Sequence, residues 1–411
     1  MDGTRRCLLA AFALHRWSPV NPRVPGQARR WCADRYEAAT TCLFAARGLA
    51  MLRIGYGTLW VLFLLREWGE RDAAWGPDSA WSPALERQYA TQSGWSGLER
   101  SWLTALGGLT RTEFDLFYLA AIALGIAFAL GWHTRATSIL FAIVVLALEN
   151  RSPLLSDGGD NVLSLMSIYL AFTACGTHCS LDARRRAARA ADPAQAESTR
   201  PDWLTELAAV RQRTVVLAHN GAVLAVAAQM CVIYGTAGFL KVQGSMWQNG
   251  SALAYVLQLN WFHPWPTLSA WVAGHTLPLA LAGYTTVFAQ AGFPFIVFAP
   301  KLKYPTLALL VLMHLSIAVL LGLPFFSAIM LVGDAIFLPD RFWQAATRRA
   351  NTMLRRATLT WRRYRTTAPG RQSAAEDREP IGTPAGGGRT SRAARASAVT
   401  VRAPRTSGRR S

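Results

Sequence analysis

Long apolar runs separated by short polar links fill the sequence between residues 43 and 338. A helix needs about 20 apolar residues to cross the hydrocarbon core of a bilayer. The runs therefore predict an all-α fold, a polytopic transmembrane helix bundle of about eight spans. The predicted spans are Leu43–Leu65, Phe114–Trp132, Thr137–Leu148, Asn161–Gly176, Thr214–Leu240, Pro278–Phe298, Thr306–Leu321 and Pro324–Leu338. The third, fourth and eighth are short, so they need tilt, local bilayer thinning or burial among neighbouring helices.

The composition supports a membrane protein and argues against a nucleic-acid-binding one. The chain of 411 residues is 52% hydrophobic and 16% charged, with 16 tryptophans, whereas about a quarter of the residues in a soluble domain are charged. The net charge of +19 flanks the apolar runs and accompanies no nucleic-acid-binding motif. We therefore predict the lipid bilayer, and no nucleic acid, as a partner.

Arginines concentrate in alternate links between the predicted spans. Residues 1–46 contain seven arginines, residues 177–213 contain seven, and residues 341–411 contain 17. The link with Lys301 and Lys303 is also basic, whereas the remaining links are nearly neutral. Because positively charged links stay in the cytoplasm, this pattern predicts a multi-pass protein of the plasma membrane with both termini cytoplasmic.

The sequence divides into three predicted regions. Residues 1–42 form a cytoplasmic N-terminal extension, residues 43–343 the transmembrane domain, and residues 344–411 a basic cytoplasmic tail. Beyond about Thr366 the chain is rich in Ala, Gly, Pro, Ser, Thr and Arg and has few large apolar residues. Such a composition is typical of disorder.

A charged residue, Arg53, interrupts the first predicted span in "LAMLRIGYGTLW". A charge at that depth costs at least about 3 kcal/mol on insertion scales, so we expect Arg53 to face the bundle and to pair with an acid or with carbonyl groups. It acts either as a structural clamp between helices or as a binding residue. Candidate acidic partners at the outer ends of the spans are Asp115, Glu149, Asp157 and Asp160.

The outer link "NRSPLLSDGGDNVLS" carries three candidate binding residues. Asp157 and Asp160 flank a Gly-Gly turn, and Asn161 is placed to cap the next helix. One interpretation is a polar turn with a helix cap. The other is a pair of carboxylates that binds a cationic group. Two carboxylates without a histidine are weak evidence for a metal, so we predict no metal site.

Lys241 is unusual in a chain with 40 arginines and only three lysines. It ends the fifth predicted span on the outer side, where a snorkelling anchor is the ordinary explanation. Arginine anchors a helix equally well, but only lysine can release its proton near neutral pH and act as a base. The nearby Gly235, Gly238 and Gly244 allow close approach of a backbone or a ligand.

His314 lies within the seventh predicted span. An intramembrane histidine marks a candidate functional site, and it can equally form a hydrogen bond between two helices.

Four segments, in this order, resemble the HTTM family, which is related to vitamin K-dependent gamma-carboxylase. The resemblance covers residues 45–343. The segments are "RIGYG" with Arg53, "DGGDNVLSLMSIYLAF" with Asp157, Asp160 and Asn161 and then "CSLDAR", "YGTAGFLKVQGSMWQNG" with Lys241 and Trp247, and "HLSIAVLLGLPFFSAIML" with His314.

The resemblance implies an outward-facing site for a quinone cofactor such as menaquinone. Lys241 matches the base that deprotonates the reduced quinone in the carboxylase, and His314 is the second catalytic candidate. The chain has Leu240 and Lys241 where the carboxylase has paired lysines. The implied binding residues are Arg53, Asp157, Asp160, Asn161 and Trp247.

Two departures argue against gamma-carboxylation of a protein. The carboxylase has an Asn-His pair where this chain has Asp160-Asn161, and it continues into a large luminal domain where we expect a basic tail. A bacterial branch of the family resembles the sporulation-delaying-protein B group, which is associated with maturing or exporting a secreted peptide. The arginine-rich composition suggests a high-GC bacterium.

Two hypotheses of function follow. The first is a quinone-linked membrane enzyme with Lys241 as its base. The second is a non-enzymatic partner in the maturation or export of a secreted peptide.

Overall fold

The computed structural model describes residues 27–92, 106–152, 155–191 and 201–367, and these residues form helices and turns without a β-strand. Single turns of 3-10 helix lie at Leu106–Gly108, Asn260–Phe262 and Ala335–Phe337. The α-helices are α1 (Gln27–Thr41), α2 (Ala46–Arg66), α3 (Arg71–Trp75), α4 (Pro83–Gln92), α5 (Arg111–Leu130), α6 (Thr134–Arg151), α7 (Gly158–Ala171), α8 (Leu181–Ala190), α9 (Asp202–Gln243), α10 (Ser245–Gln248), α11 (Ala252–Val256), α12 (Pro266–Ala273), α13 (Thr276–Ile296), α14 (Lys303–Leu320), α15 (Pro324–Asp334) and α16 (Asp340–Thr367).

Each of the eight predicted spans coincides with a helix, so the all-α prediction is confirmed for the described residues. Within them, five helices are long and apolar enough to cross a membrane, judged by length and composition: α2, α5, α9, α13 and α14. The three spans predicted to be short are α6, α7 and α15, and they are not among these five. The eight-span count thus stays a prediction.

The fifth predicted span begins at Thr214, but α9 begins at Asp202 and contains 42 residues. At about 1.5 Å per residue, such a helix is about 63 Å long, roughly twice the thickness of a hydrocarbon core. Residues 202–213 at the start of α9 are exposed and include Arg211 and Arg213. Part of the basic link between residues 177 and 213 is therefore helical.

Close helix packing explains the glycines that precede Lys241. A Cβ atom at Gly238 would overlap the backbone of Ala291, and one at Gly235 would press on the ring of Pro294. Both neighbours belong to α13, which packs along α9. Small residues let helix backbones approach closely in membranes, so these two glycines accommodate a helix rather than a ligand.

The short helix α15 lies inside the bundle. It packs against α2, α7, α9 and α14, and Ile329, Met330 and Asp334 are buried in these contacts. Burial among neighbours is one of the ways in which a short apolar helix is accommodated.

The chain divides into two units, residues 1–348 and 349–411. In the second unit the described residues, 349–367, form the C-terminal part of α16. The segment predicted to be disordered lies outside the described residues, except at its start, and so do residues 1–26 of the predicted N-terminal extension.

Candidate functional site

Two neighbouring cavities lie beside the N-terminus of α7. The first has a volume of about 30 Å³ and the second about 160 Å³. Both are lined by Phe63, Asp160 and Leu163. The sequence predicts Asp157 and Asp160 as binding residues, and the structure places both at the wall of the second cavity.

Aromatic rings and polar groups line the first cavity together. Its walls include Trp60, Phe63 and Trp75, with the Phe63 and Trp75 ring centroids 5.8 Å apart. Its polar lining includes Glu149 and the buried Ser164, whose hydroxyl has no hydrogen-bond partner in the described part of the chain. Aromatic walls with a few convergent polar groups are typical of small-molecule sites, but this cavity has room only for water.

The acids of the outer link also have a structural role. Asp157 is the N-cap of α7 and accepts hydrogen bonds from the backbone N–H groups of Gly159 and Asp160. Asp160 in turn accepts from the backbone N–H of Asp157, at 2.9 Å, which completes a capping box. The prediction that Asn161 caps the helix is wrong. Asn161 lies in the first turn, and its side chain donates to the Asp157 carbonyl at 3.1 Å.

Arg53 contacts the opposite end of the bundle from its predicted acidic partners. Its side chain is fully buried, and Nη2 donates to the carbonyl oxygen of Cys179 at 2.6 Å. Of the two predicted kinds of partner, the structure shows the carbonyl, which belongs to the turn between α7 and α8, and not one of the four outer acids. One of those acids, Asp115, instead pairs with Arg71, at 2.8 Å. The carbonyl bond favours the structural clamp.

His314 belongs to a buried polar cluster that we name the mid-helix cluster: Tyr56, Tyr234, His314 and Asp334. The Tyr234 hydroxyl lies 3.0 Å from His314 Nε2 and donates to Asp334 Oδ2 at 2.8 Å. All four side chains are at most 5% exposed. The cluster joins α2, α9, α14 and α15.

Several polar atoms of the mid-helix cluster have no hydrogen-bond partner among the described residues. They are His314 Nδ1, Asp334 Oδ1 and the Tyr56 hydroxyl. An unpartnered buried polar group costs about 1–3 kcal/mol. Such atoms call for a partner, which bound water, a ligand or a proton-transfer step can supply.

Lys241 and Trp247 are brought together, as their shared segment suggested. Lys241 Nζ lies 5.3 Å from the centroid of the Trp247 ring and donates to the Ala237 carbonyl at 3.3 Å. The lysine is half-buried and forms no ion pair within the described part of the chain. It lines neither of the two cavities.

The two predicted catalytic residues occupy separate places. Lys241 lies about two turns, or about 10 Å, along α9 from Tyr234, the partner of His314, and no hydrogen bond or ring contact in the described residues joins Lys241 to His314. Sequence reasoning missed Asp334 and Tyr234. An acid inside the last apolar run was the signal that could have identified Asp334.

No protein-family model, no curated protein and no solved structure matches this chain. The resemblance to the HTTM family stays a prediction from its sequence motifs.

Proposed function

We propose that this chain is a multi-pass protein of the bacterial plasma membrane, similar to the HTTM family, with eight spans and both termini cytoplasmic. Five helices of spanning length support the proposal, together with α6, α7 and α15 at the positions of the three shorter predicted spans. The alternation of basic and neutral links supports the orientation.

We further propose that the protein is a quinone-linked membrane enzyme with Lys241 as an outward-facing base. The observation that carries this proposal is the setting of Lys241, between a backbone carbonyl and the face of Trp247 and without an acidic partner in the described residues. Arginine could form both contacts. What lysine adds is the ability to give up and take back a proton.

The residues around Lys241 fit a lipid-soluble ring. Phe239, Leu240 and Met246 are about half or more exposed, so they form an apolar face that a molecule in the bilayer can reach. Trp247 supplies an aromatic surface at the same place. A bound quinone supplies the redox chemistry, while the neutral Lys241 amine would take a proton from a hydroxyl group.

Two measurements on purified protein test this proposal. Mass spectrometry of the extracted lipid should find menaquinone with the wild type and with Trp261→Ala, whose ring is 91% exposed, but not with Trp247→Ala. Consumption of reduced menaquinone in air-saturated buffer should be abolished by Lys241→Arg. It should be unchanged in Lys301→Arg, the matched control at an exposed lysine.

A fully active Lys241→Arg variant would contradict the role of Lys241 as a base. Wild-type protein without any co-purified quinone would favour the non-enzymatic partner in secreted-peptide maturation or export.

The orientation has its own test. In a background without Cys32 and Cys179, both exposed, a membrane-impermeant thiol reagent added outside cells should label a cysteine at Thr267 and not one at Ala190. Both positions are exposed on the protein, so the reverse pattern would overturn the orientation.

A further inference from the structure

The mid-helix cluster lies well inside the outer ends of the four helices that carry it. Counted at about 1.5 Å per residue, Tyr56, Tyr234, His314 and Asp334 lie about 9 to 15 Å from the ends of α2, α9, α14 and α15 that face outside in the proposed orientation. A hydrocarbon core is about 30 Å thick. In the proposed orientation, the four side chains therefore meet near the middle of the bilayer.

The hydrogen bonds of Tyr234 allow two arrangements of the same protons. In the first, Asp334 is a carboxylate that accepts from the Tyr234 hydroxyl, and the His314 imidazolium donates from Nε2 to the Tyr234 oxygen. In the second, Asp334 is a carboxylic acid that donates to the Tyr234 oxygen, and Tyr234 donates to neutral His314. Both use the distances of 2.8 Å and 3.0 Å.

The two arrangements interconvert without a net change of charge. The Tyr234 proton moves to Asp334 Oδ2 while the Nε2 proton of His314 moves to the Tyr234 oxygen, so one O–H bond and one N–H bond break and two O–H bonds form. One proton is thereby transferred from His314 to Asp334. Chains of acidic, histidine and hydroxyl groups inside membranes are typical of proton relays.

At each end of this chain of hydrogen bonds is a buried polar atom without a partner in the described residues. Neither His314 Nδ1 nor Asp334 Oδ1 has a partner in the described residues. The His314 ring packs on Phe326, with centroids 5.8 Å apart, and Phe326 lines the second cavity. Phe326 therefore contacts both His314 and the cavity that Asp157 and Asp160 line.

We propose that His314, Tyr234 and Asp334 form an intramembrane proton relay whose histidine end is loaded from the second cavity past Phe326. The titratable groups around Asp334 are Tyr56 of α2, Tyr234 of α9 and, through Tyr234, His314 of α14. The relay does not involve Lys241, so the experiments that test it are separate from those that test the quinone proposal.

The bundle contains a buried histidine with a purely structural pattern of bonds. His219 accepts from the Ala174 backbone N–H at Nδ1, at 3.0 Å, and bonds the Phe44 carbonyl through Nε2, at 2.8 Å. Both of its ring nitrogens are used, so its tautomer is fixed. His314 has one bonded and one open nitrogen, which is what a relay needs and a clamp does not.

Nuclear magnetic resonance on lipid-reconstituted wild-type protein tests the relay directly. The protein is labelled with ¹⁵N in histidine rings and ¹³C in aspartate carboxyls, and signals are assigned by their loss in His314→Gln and Asp334→Asn. Because strongly coupled groups share macroscopic titration steps, the His314 and Asp334 signals should shift together as the pH is changed. The ring signals of His219 should keep one tautomer throughout.

Tyr234→Phe keeps the ring and removes the connecting hydroxyl. The His314 and Asp334 signals should then shift at different pH values, with His219 unchanged. Wild-type signals that shift at unrelated pH values, or that do not shift at all, would overturn the relay and leave a helix clamp. The wild-type measurement decides the matter even if Tyr234→Phe does not fold.

Discussion

Asp182 caps the N-terminus of α6 from another part of the chain, and its removal should destabilise the bundle. The residue before the helix, His133, has a left-handed backbone and no capping side-chain bond. Instead the Asp182 carboxylate accepts from the backbone N–H of His133 at 3.0 Å, the backbone N–H of Thr134 at 2.6 Å and the Thr134 hydroxyl at 2.7 Å. An orphaned helix N-terminus is thus satisfied by α8.

The expected cost can be worked out from these bonds. Hydrogen bonds to charged groups contribute about 1.5–3 kcal/mol when they are well buried. The Asp182 side chain is 18% exposed, so its bonds contribute less than the upper value. Removal of a capping side chain costs about 0.5–2 kcal/mol. We expect Asp182→Ala to lower the free energy of unfolding by about 2 kcal/mol. Asp182→Asn should cost about half as much, because it keeps one acceptor oxygen.

The contribution of Asp182 should also depend on pH. Partial burial raises the pKa of Asp182, but hydrogen bonds from Thr134 and His133 outweigh it, so the pKa of this carboxyl lies below its usual 3.8. A folded-state pKa below the unfolded one gives stability that is present above the unfolded pKa and lost as the pH falls through the folded pKa. The difference between the wild type and Asp182→Ala should therefore shrink below about pH 3.8.

Unfolding by sodium dodecyl sulfate in mixed micelles, followed by tryptophan fluorescence, measures these free energies. Glu206→Ala is the control, because Glu206 is an exposed acid on α9 and should change stability by less than about 0.5 kcal/mol. If Asp182→Ala matches that control at neutral pH, the three hydrogen bonds do not stabilise α6.

The remaining predictions concern helix packing and Arg53, and the same assay measures both. Gly238→Ala places a Cβ against the Ala291 backbone and should lower the free energy of unfolding by about 1–3 kcal/mol. The control Gly221→Ala, on the same helix, places its Cβ in open space and should be neutral or slightly stabilising. Equal effects of the two substitutions would contradict the close packing. Arg53→Met should change the free energy of unfolding by less than about 1 kcal/mol, because loss of the Cys179 hydrogen bond is offset by removal of a buried charge. A much larger loss would show that the guanidinium stabilises the fold.

Periodicity and charge predicted the helices because these signals are local. Each apolar run became a helix, and only the ends moved, most of all at Asp202, where a polar and charged stretch extends α9 beyond its apolar part. Polar residues do not end a helix unless a breaker is present, and Pro201 marks the start of α9. The place of α15 inside the bundle was not predictable, because it depends on which helices surround it.

The candidate site was predicted only where its members are close in sequence. Lys241 and Trp247 lie on one segment, and so do Asp157, Asp160 and Asn161. Even within the second segment, the sequence predicts Asn161 as the helix cap, whereas Asp157 is the cap in the structure. Either residue type can cap a helix, and only the backbone geometry decides which one does. Arg53 reached a carbonyl rather than an acid for a similar reason: the direction of a side chain from a helix selects its partner.

The mid-helix cluster could not have been found by reading one segment at a time. Tyr234, His314 and Asp334 come from three helices, and the hydroxyl that joins them is 80 residues from the histidine and 100 from the acid in sequence. Each residue alone has an ordinary explanation: an aromatic core residue, a helix-to-helix hydrogen bond, an acid near a helix end. What distinguishes the cluster is that the three residues meet in one continuous chain of hydrogen bonds, whereas both ring nitrogens of His219 are bonded to backbone groups. A histidine and an acid joined through one hydroxyl, with an unpartnered nitrogen and oxygen at the two ends, are what a proton-transfer path requires.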